Sequence, residues 1–207
     1  MGSYINLGNA GFTEALKTKY IDKTGMIAVI NKLIGTRQKL TCISRPRRFG
    51  KSYAAQMICA YYDCSCDSHE LFNGLEISGM ESYEEHINKY NVIYLDMTGV
   101  IGESPDDDIV PFLKSRIIAE LKALFPNIKA ESDIVPALAN AVDISNRKFI
   151  MIIDEWDAPI RENPQYNKKY LQFLRLLFKN SGATAKIFAA AYMTGILPIK
   201  KDGSQSA

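Results

Sequence analysis

The residues best placed to do chemistry in this chain are Ser44-Arg45-Pro46-Arg47-Arg48-Phe49-Gly50-Lys51-Ser52. They follow a short apolar run, Leu40 to Ile43, and precede a helix-forming stretch, Tyr53 to Tyr62, so Gly50-Lys51-Ser52 falls at a strand-to-helix junction. The first N–H groups of a helix have no partner within it and attract anions. Gly50 would let the backbone approach a phosphate, and Lys51 would bring a point charge to the terminal phosphates. Ser52 would offer its hydroxyl to Mg²⁺. One position departs from the G-x-x-x-x-G-K-[ST] template, which asks for Gly where this chain has Arg45. The plainer alternative is a basic strand-to-helix turn. The nucleotide-contacting candidates are Arg47, Arg48, Phe49, Gly50, Lys51, Ser52 and Tyr53.

A second constellation follows later in the chain. Phe149-Ile150-Met151-Ile152-Ile153 runs straight into Asp154 and Glu155. A continuous apolar run without alternation suits a central parallel strand covered on both faces. Ligands bind at the C-terminal ends of such strands. Asp154 there would hold Mg²⁺ through water, and Glu155 would polarise the water that attacks a γ-phosphate. The plainer alternative is a strand leaving the core into an acidic turn, Asp154-Glu155-Trp156-Asp157.

The rest of the composition narrows the field. A chain of 207 residues with 47% hydrophobic and 23% charged residues suits a single soluble α/β domain. A net charge of +2 is too small to argue for nucleic acid by bulk electrostatics. No apolar stretch approaches the roughly 18 residues of a membrane span, and the N-terminus lacks the apolar segment of a signal peptide, so a cytoplasmic protein is expected. Cys64, Cys66 and His69 could be imagined as metal ligands, but no second pair stands at zinc spacing. Cys42 and Cys59 read as core thiols.

These groups need elements to position them. Residues 1–38 read as an N-terminal helical extension packing on the core, with a helix from Lys23 to Ile34 whose apolar face carries Met26, Ile27, Val29, Ile30, Leu33 and Ile34. Residues 39–207 read as the core. Strands are expected at 39–44, 92–96, 149–153 and 186–192. Helices are expected at 51–62, 109–125, 131–145 and 166–180, the last closed by Ser181-Gly182. Strands alternating with helices imply a mostly parallel sheet. The expected fold class is α/β, a P-loop NTPase three-layer sandwich. Its additional strand, residues 92–96, intervenes between the P-loop strand and the acidic strand. Thr194, at the end of the last strand, would then stand beside the γ-phosphate as a polar sensor, or be a simple strand-end residue.

With these pieces placed, the chain resembles the bacterial AAA-ATPase-like family. The resemblance covers nearly all of it: Gly11-Phe12, Tyr20-Ile21-Asp22-Lys23-Thr24, the Ser44 to Ser52 loop, Tyr61-Tyr62-Asp63, Ile93-Tyr94-Leu95-Asp96, Asp154-Glu155-Trp156-Asp157-Ala158-Pro159 and Met193 to Lys200. Arg45 departs from the general P-loop but not from this family. The resemblance implies an ATPase module with ATP and Mg²⁺ as cofactors. Glu155, Lys51 and Thr194 would be its catalytic residues, and Ser52 and Asp154 its metal ligands. By the same resemblance Tyr20, Ile21 and Asp22 would border the adenine. Members typically continue into a helical lid and often a nuclease-like domain of the PD-(D/E)xK type, so this chain reads as an N-terminal fragment. A nucleic-acid partner would be reached through that further domain, and oligomerisation is compatible with the family. Two other functions stay open: a nucleotide-dependent regulatory switch with little turnover, and a nucleic-acid-binding module using the basic loop.

Overall fold

In a computed structural model, which describes residues 2–106, 108–129, 132–179 and 181–197, the chain alternates strands and helices. Helices α1 (Ala10–Leu16) and α2 (Gly25–Leu33) come first. Strand β1 (Leu40–Ser44) leads into α3 (Lys51–Tyr62). Two single-turn helices, α4 (His69–Phe72) and α5 (Tyr83–His86), fill the polar region before β2 (Asn91–Asp96). Then come α6 (Met97–Glu103), α7 (Ile109–Leu124), α8 (Ile134–Ser145) and β3 (Phe149–Asp154). The last elements are α9 (Ala158–Glu162), α10 (Asn167–Phe178), α11 (Ser181–Ile187) and β4 (Phe188–Gly195).

The four strands form one all-parallel sheet in the order β1-β4-β3-β2. β4 thus lies between the strand that carries the basic loop and the strand that ends in Asp154, while β2 sits at the far edge. Side chains alternate between the faces of a strand, and this sheet buries both. Ile93, Leu95, Met151, Ile153, Ala191 and Met193 pack with α7, α8 and α10. Val92, Ile150, Ile152, Ala190 and Tyr192 pack on the other side with α1, α2 and α3. Such two-sided burial is why β3 and β4 read as unbroken apolar runs, and every residue of both is buried. By the same alternation Asp154 and Thr194 fall on the face covered by α3.

The N-terminal segment is part of this core. Ile5 bridges Ile93 antiparallel, and Asn6 N–H donates to the Val92 carbonyl at 2.8 Å, so the outer edge of β2 is covered. Phe12 and Ala15 of α1 are buried against α3.

Several expectations change. The last strand begins at Phe188, because Lys186 and Ile187 end α11. Ser181 and Gly182 start that helix instead of closing the one before it, and α10 stops at Phe178. Helix α2 is shorter than Lys23 to Ile34, and Val29 points outward at 59% exposure. Cys42, on the edge strand, is only half-buried. Helices α1, α6 and α9 are additions to the sequence-based outline. Glu131, Asn180, Pro198 to Lys200 and the chain end lie outside the described residues.

Candidate functional site

The basic loop begins where β1 stops pairing. Arg45 N–H still donates to the Gly195 carbonyl at 3.1 Å, and Ser44 Oγ donates to the Ile196 carbonyl at 2.7 Å. The backbone then turns through left-handed conformations at Arg48 (φ 69°) and Gly50 (φ 72°, ψ 29°). Glycine adopts this conformation without a Cβ penalty, whereas Arg48 carries one. Gly50 is the N-cap of α3, provides no side chain to its free N–H groups, and the first turn holds no acidic residue. These N–H groups, at the positive end of the helix dipole, therefore remain available to an anion. The rest of α3 is locked in the core by Ala55, Met57, Ile58 and Tyr61, so the helix cannot swing away from the loop.

Around this helix start lies an open cavity of about 830 Å³. Its lining includes Arg47, Arg48, Phe49, Gly50, Lys51, Ser52 and Tyr53 from the loop and α3, and Tyr20, Ile21 and Lys23 from the segment before α2. Glu155 reaches the same cavity. Lys51 is buried, and its ammonium donates to the Pro46 carbonyl at 3.0 Å. Ser52 is exposed. Ile21, Phe49 and Tyr53 are among the most exposed large apolar side chains, at 70%, 59% and 52%. A cavity that joins clustered cations to exposed apolar faces suits a ligand with one anionic and one flat apolar part.

Lys23, read from the sequence as a helix start and as part of the family resemblance, also reaches the basic loop. Its ammonium donates to the Phe49 carbonyl at 3.2 Å, and a Cβ on Gly50 would come within 3.0 Å of it. The segment is held by Asp22, whose carboxylate accepts from Thr24 N–H, Thr24 Oγ1 and Glu76 N–H. Partial burial would raise the Asp22 pKa, but these donors outweigh it and hold the carboxyl below its ordinary range. This contact joins residue 23 to residue 49 across the fold, and no local pattern announces it.

The acidic end of β3 supplies the opposite wall. Asp154 is buried, and one oxygen, Oδ1, accepts from Thr194 Oγ1 and from Glu155 N–H. The Thr194 hydroxyl oxygen also accepts from Glu155 N–H at 3.3 Å. Asp154 and Thr194 meet each other on the α3 face, and neither lines the cavity. Burial, with the Asp154 charge added, pushes the nearby Tyr94 and Tyr192 phenols up. Asp96, beside Asp154 in register, is occupied as the N-cap of α6, accepting from Thr98 and Gly99 N–H.

Glu155 stands in the left-handed region at φ 51°. Its Oε2 accepts from Arg161 Nη2 at 3.0 Å and from Thr98 Oγ1 at 3.3 Å. Arg161 is a residue that sequence reasoning missed. It lies four residues after Asp157, on a helix announced by Pro159, and a charge pair at that spacing is a readable signal. Burial pushes the Cys42 thiol up to about 11, and Cys59, Cys64 and Cys66 are raised as well. Among the described residues no group of three or more His, Cys, Asp or Glu could hold a metal alone.

No curated protein and no solved structure matches this chain. A family model described as "Predicted AAA-ATPase" matches residues 11–204, a span that takes in the basic loop, the Asp154-Glu155 strand end and Thr194. The chain belongs to that predicted AAA-ATPase family.

Proposed function

We propose that this chain binds Mg²⁺-ATP at residues 47–53 and hydrolyses it, with Glu155 as general base. The observation that carries the reading is the meeting, in one cavity, of an uncapped glycine-led helix N-terminus, Lys51 and Glu155. The sheet order supports it, because β4 between β1 and β3 brings Thr194 to Asp154.

The residues fit Mg²⁺, which prefers hard oxygen donors and is commonly held by one or two carboxylates together with substrate phosphates. The Ser52 hydroxyl, which lines the cavity, and the buried Asp154 carboxylate, which stands behind it and would reach the ion through water, are the residues that would hold it. When bound, the ion neutralises charge on the β- and γ-phosphates. Lys51 exchanges the Pro46 carbonyl for the terminal phosphates. Arg47 and Arg48 steer the anion, and Ile21, Phe49 and Tyr53 offer faces to the base. Glu155 takes a proton from water as the water oxygen bonds to the γ-phosphorus. The bond from that phosphorus to the bridging oxygen breaks, and its electron pair leaves on ADP. Thr194 holds Asp154 and the Glu155 backbone in register.

Calorimetric titration tests the binding half. The unmodified chain is expected to bind ATP more tightly with Mg²⁺ than without. Loss of one charge-assisted contact, about 1.5–3 kcal/mol, predicts that Lys51→Ala weakens ATP by roughly tenfold or more. Equal affinity of Lys51→Ala and the unmodified chain would refute the assignment. DNA binding that survives removal of Mg²⁺ and falls steeply with salt would instead favour the basic loop as a nucleic-acid contact.

A further inference from the structure

Arg161 has two acidic neighbours and treats them differently. Its Nη2 makes an aligned hydrogen bond to Glu155 Oε2 at 3.0 Å. Its Nε stands 3.3 Å from Asp157 Oδ2, but that atom has no hydrogen-bond partner. Asp157 is fully buried and is satisfied at Oδ2 by the N–H groups of Ile196 and Leu197, at 3.1 and 2.9 Å. So Asp157 does not depend on Arg161 for its hydrogen bonds. It is fastened to the backbone at the exit of β4, and it fixes the charge against which Arg161 leans.

Glu155 shows the other side of this arrangement. Both hydrogen bonds to its carboxylate, from Arg161 and from Thr98, fall on Oε2, and Oε1 has no partner among the described residues. Its main chain is held by Thr194 and Asp154 in a left-handed conformation, which costs a residue with a side chain about 1–2 kcal/mol. Backbone strain of this kind persists only where surrounding contacts overdetermine it. A carboxylate anchored through one oxygen and free at the other, on a strained and pinned backbone beside the cavity, has the geometry of an oriented base.

We infer that Arg161 is a positioning residue for Glu155, completing a relay from the chain exit at Ile196 and Leu197 through Asp157 and Arg161 to the carboxylate. The inference rests on the proposed role of Glu155 in ATP hydrolysis. Arg161 does not touch the nucleotide. It restricts the Glu155 side chain so that Oε1 is the oxygen that receives the water's proton. A displacement of about 1 Å at such a group costs on the order of 10²-fold in rate, whereas ground-state nucleotide binding does not use it.

The test compares turnover and Mg²⁺-ATP affinity for the unmodified chain, Glu155→Gln, Arg161→Gln and Arg161→Lys. Arg161→Gln is expected to lower kcat by roughly 10- to 100-fold and to leave Kd within about twofold. A structural salt bridge would instead lower the thermal midpoint and change Kd and kcat together. Should Arg161→Gln fail to fold, Arg161→Lys keeps a cation beside Asp157 but lacks the planar fork that spans both carboxylates. It is expected to fold, bind ATP normally and lose several-fold in kcat. An unchanged kcat in either folded variant, with Glu155→Gln inactive, overturns the positioning role and leaves the ATPase reading intact. A turnover rate unaffected by Glu155→Gln, or no turnover in the unmodified chain, overturns both.

Discussion

Glu155→Gln is expected to abolish turnover, by about 10²- to 10⁴-fold, while keeping Mg²⁺-ATP affinity within about twofold. Gln preserves the length of the side chain and can still accept from Arg161 Nη2 and Thr98 Oγ1 through its amide oxygen. It has no oxygen left to accept a proton. Interactions that appear only in the transition state lower kcat when removed, and they spare ground-state binding. Asp154→Asn is the informative contrast, because the lost charge should weaken the Mg²⁺-dependent part of binding. Steady-state phosphate release beside a binding isotherm checks both. Hydrolysis by Glu155→Gln at the unmodified rate would remove Glu155 as the base. Asp96 would be a poor replacement, since its carboxylate is committed to the N-terminus of α6.

The second large effect concerns a glycine that is not among those with a left-handed backbone. Gly195, the last residue of β4, pairs in register with Ser44 at the start of the basic loop. A Cβ there would lie 2.6 Å from Trp156 Nε1 and 2.7 Å from Asp157 Oδ1. Neither neighbour can retreat: Trp156 is buried at 6% exposure, and Asp157 is tied to the backbone just beyond Gly195. Gly195→Ala is therefore expected to destabilise the fold by about 1–3 kcal/mol. For a chain of this size that lowers the thermal midpoint by roughly 2–12 °C. Gly99→Ala is the control. Its Cβ would meet Asp96 Oδ2 at an ordinary 3.5 Å inside α6, and alanine favours helix, so stability should hold or rise slightly. Thermal unfolding of the two variants side by side decides the matter, and equal midpoints would contradict the close packing at Gly195.

The parts legible in the sequence are those dictated by local composition. β3 and β4 are apolar at nearly every position because both their faces are covered, and the loop declares itself through glycine and cations placed before a helix. The errors cluster where one signal suits two structures. Ile187 is buried at the end of a helix and joins an apolar strand, and an apolar run cannot be divided between the two by periodicity alone. Ser181-Gly182 has the composition of a stop, yet Ala183 and Ala185 favour helix and continue it as α11. Val29 matched the apolar face of a longer helix, whereas the shorter α2 buries only Ile27, Ile30 and Asn31. The site was legible in its two halves and not in their connections. Thr98 reaches Glu155 and Thr194 reaches Asp154 only because the sheet order brings distant segments together, and Lys23 reaches Phe49 from a segment that Asp22 ties to Thr24 and Glu76.

The position of β1 in the sheet has a consequence for amide exchange. Among the described residues this strand pairs on one side only, with β4, and none of its residues is fully buried, whereas every residue of β3 and β4 is. Regions with fewer buried contacts open with smaller free energies than the global value, so β1 should exchange its amides well before the central pair. The basic loop hangs from this soft margin, while Asp154, Glu155 and Thr194 stand at the ends of slow-exchanging strands. The cavity therefore has one compliant wall and one rigid wall. A ligand captured by the loop should slow exchange in β1 and the first turn of α3, with little change in β3. Protection that instead rose uniformly across all four strands would mean that the sheet opens as a single unit.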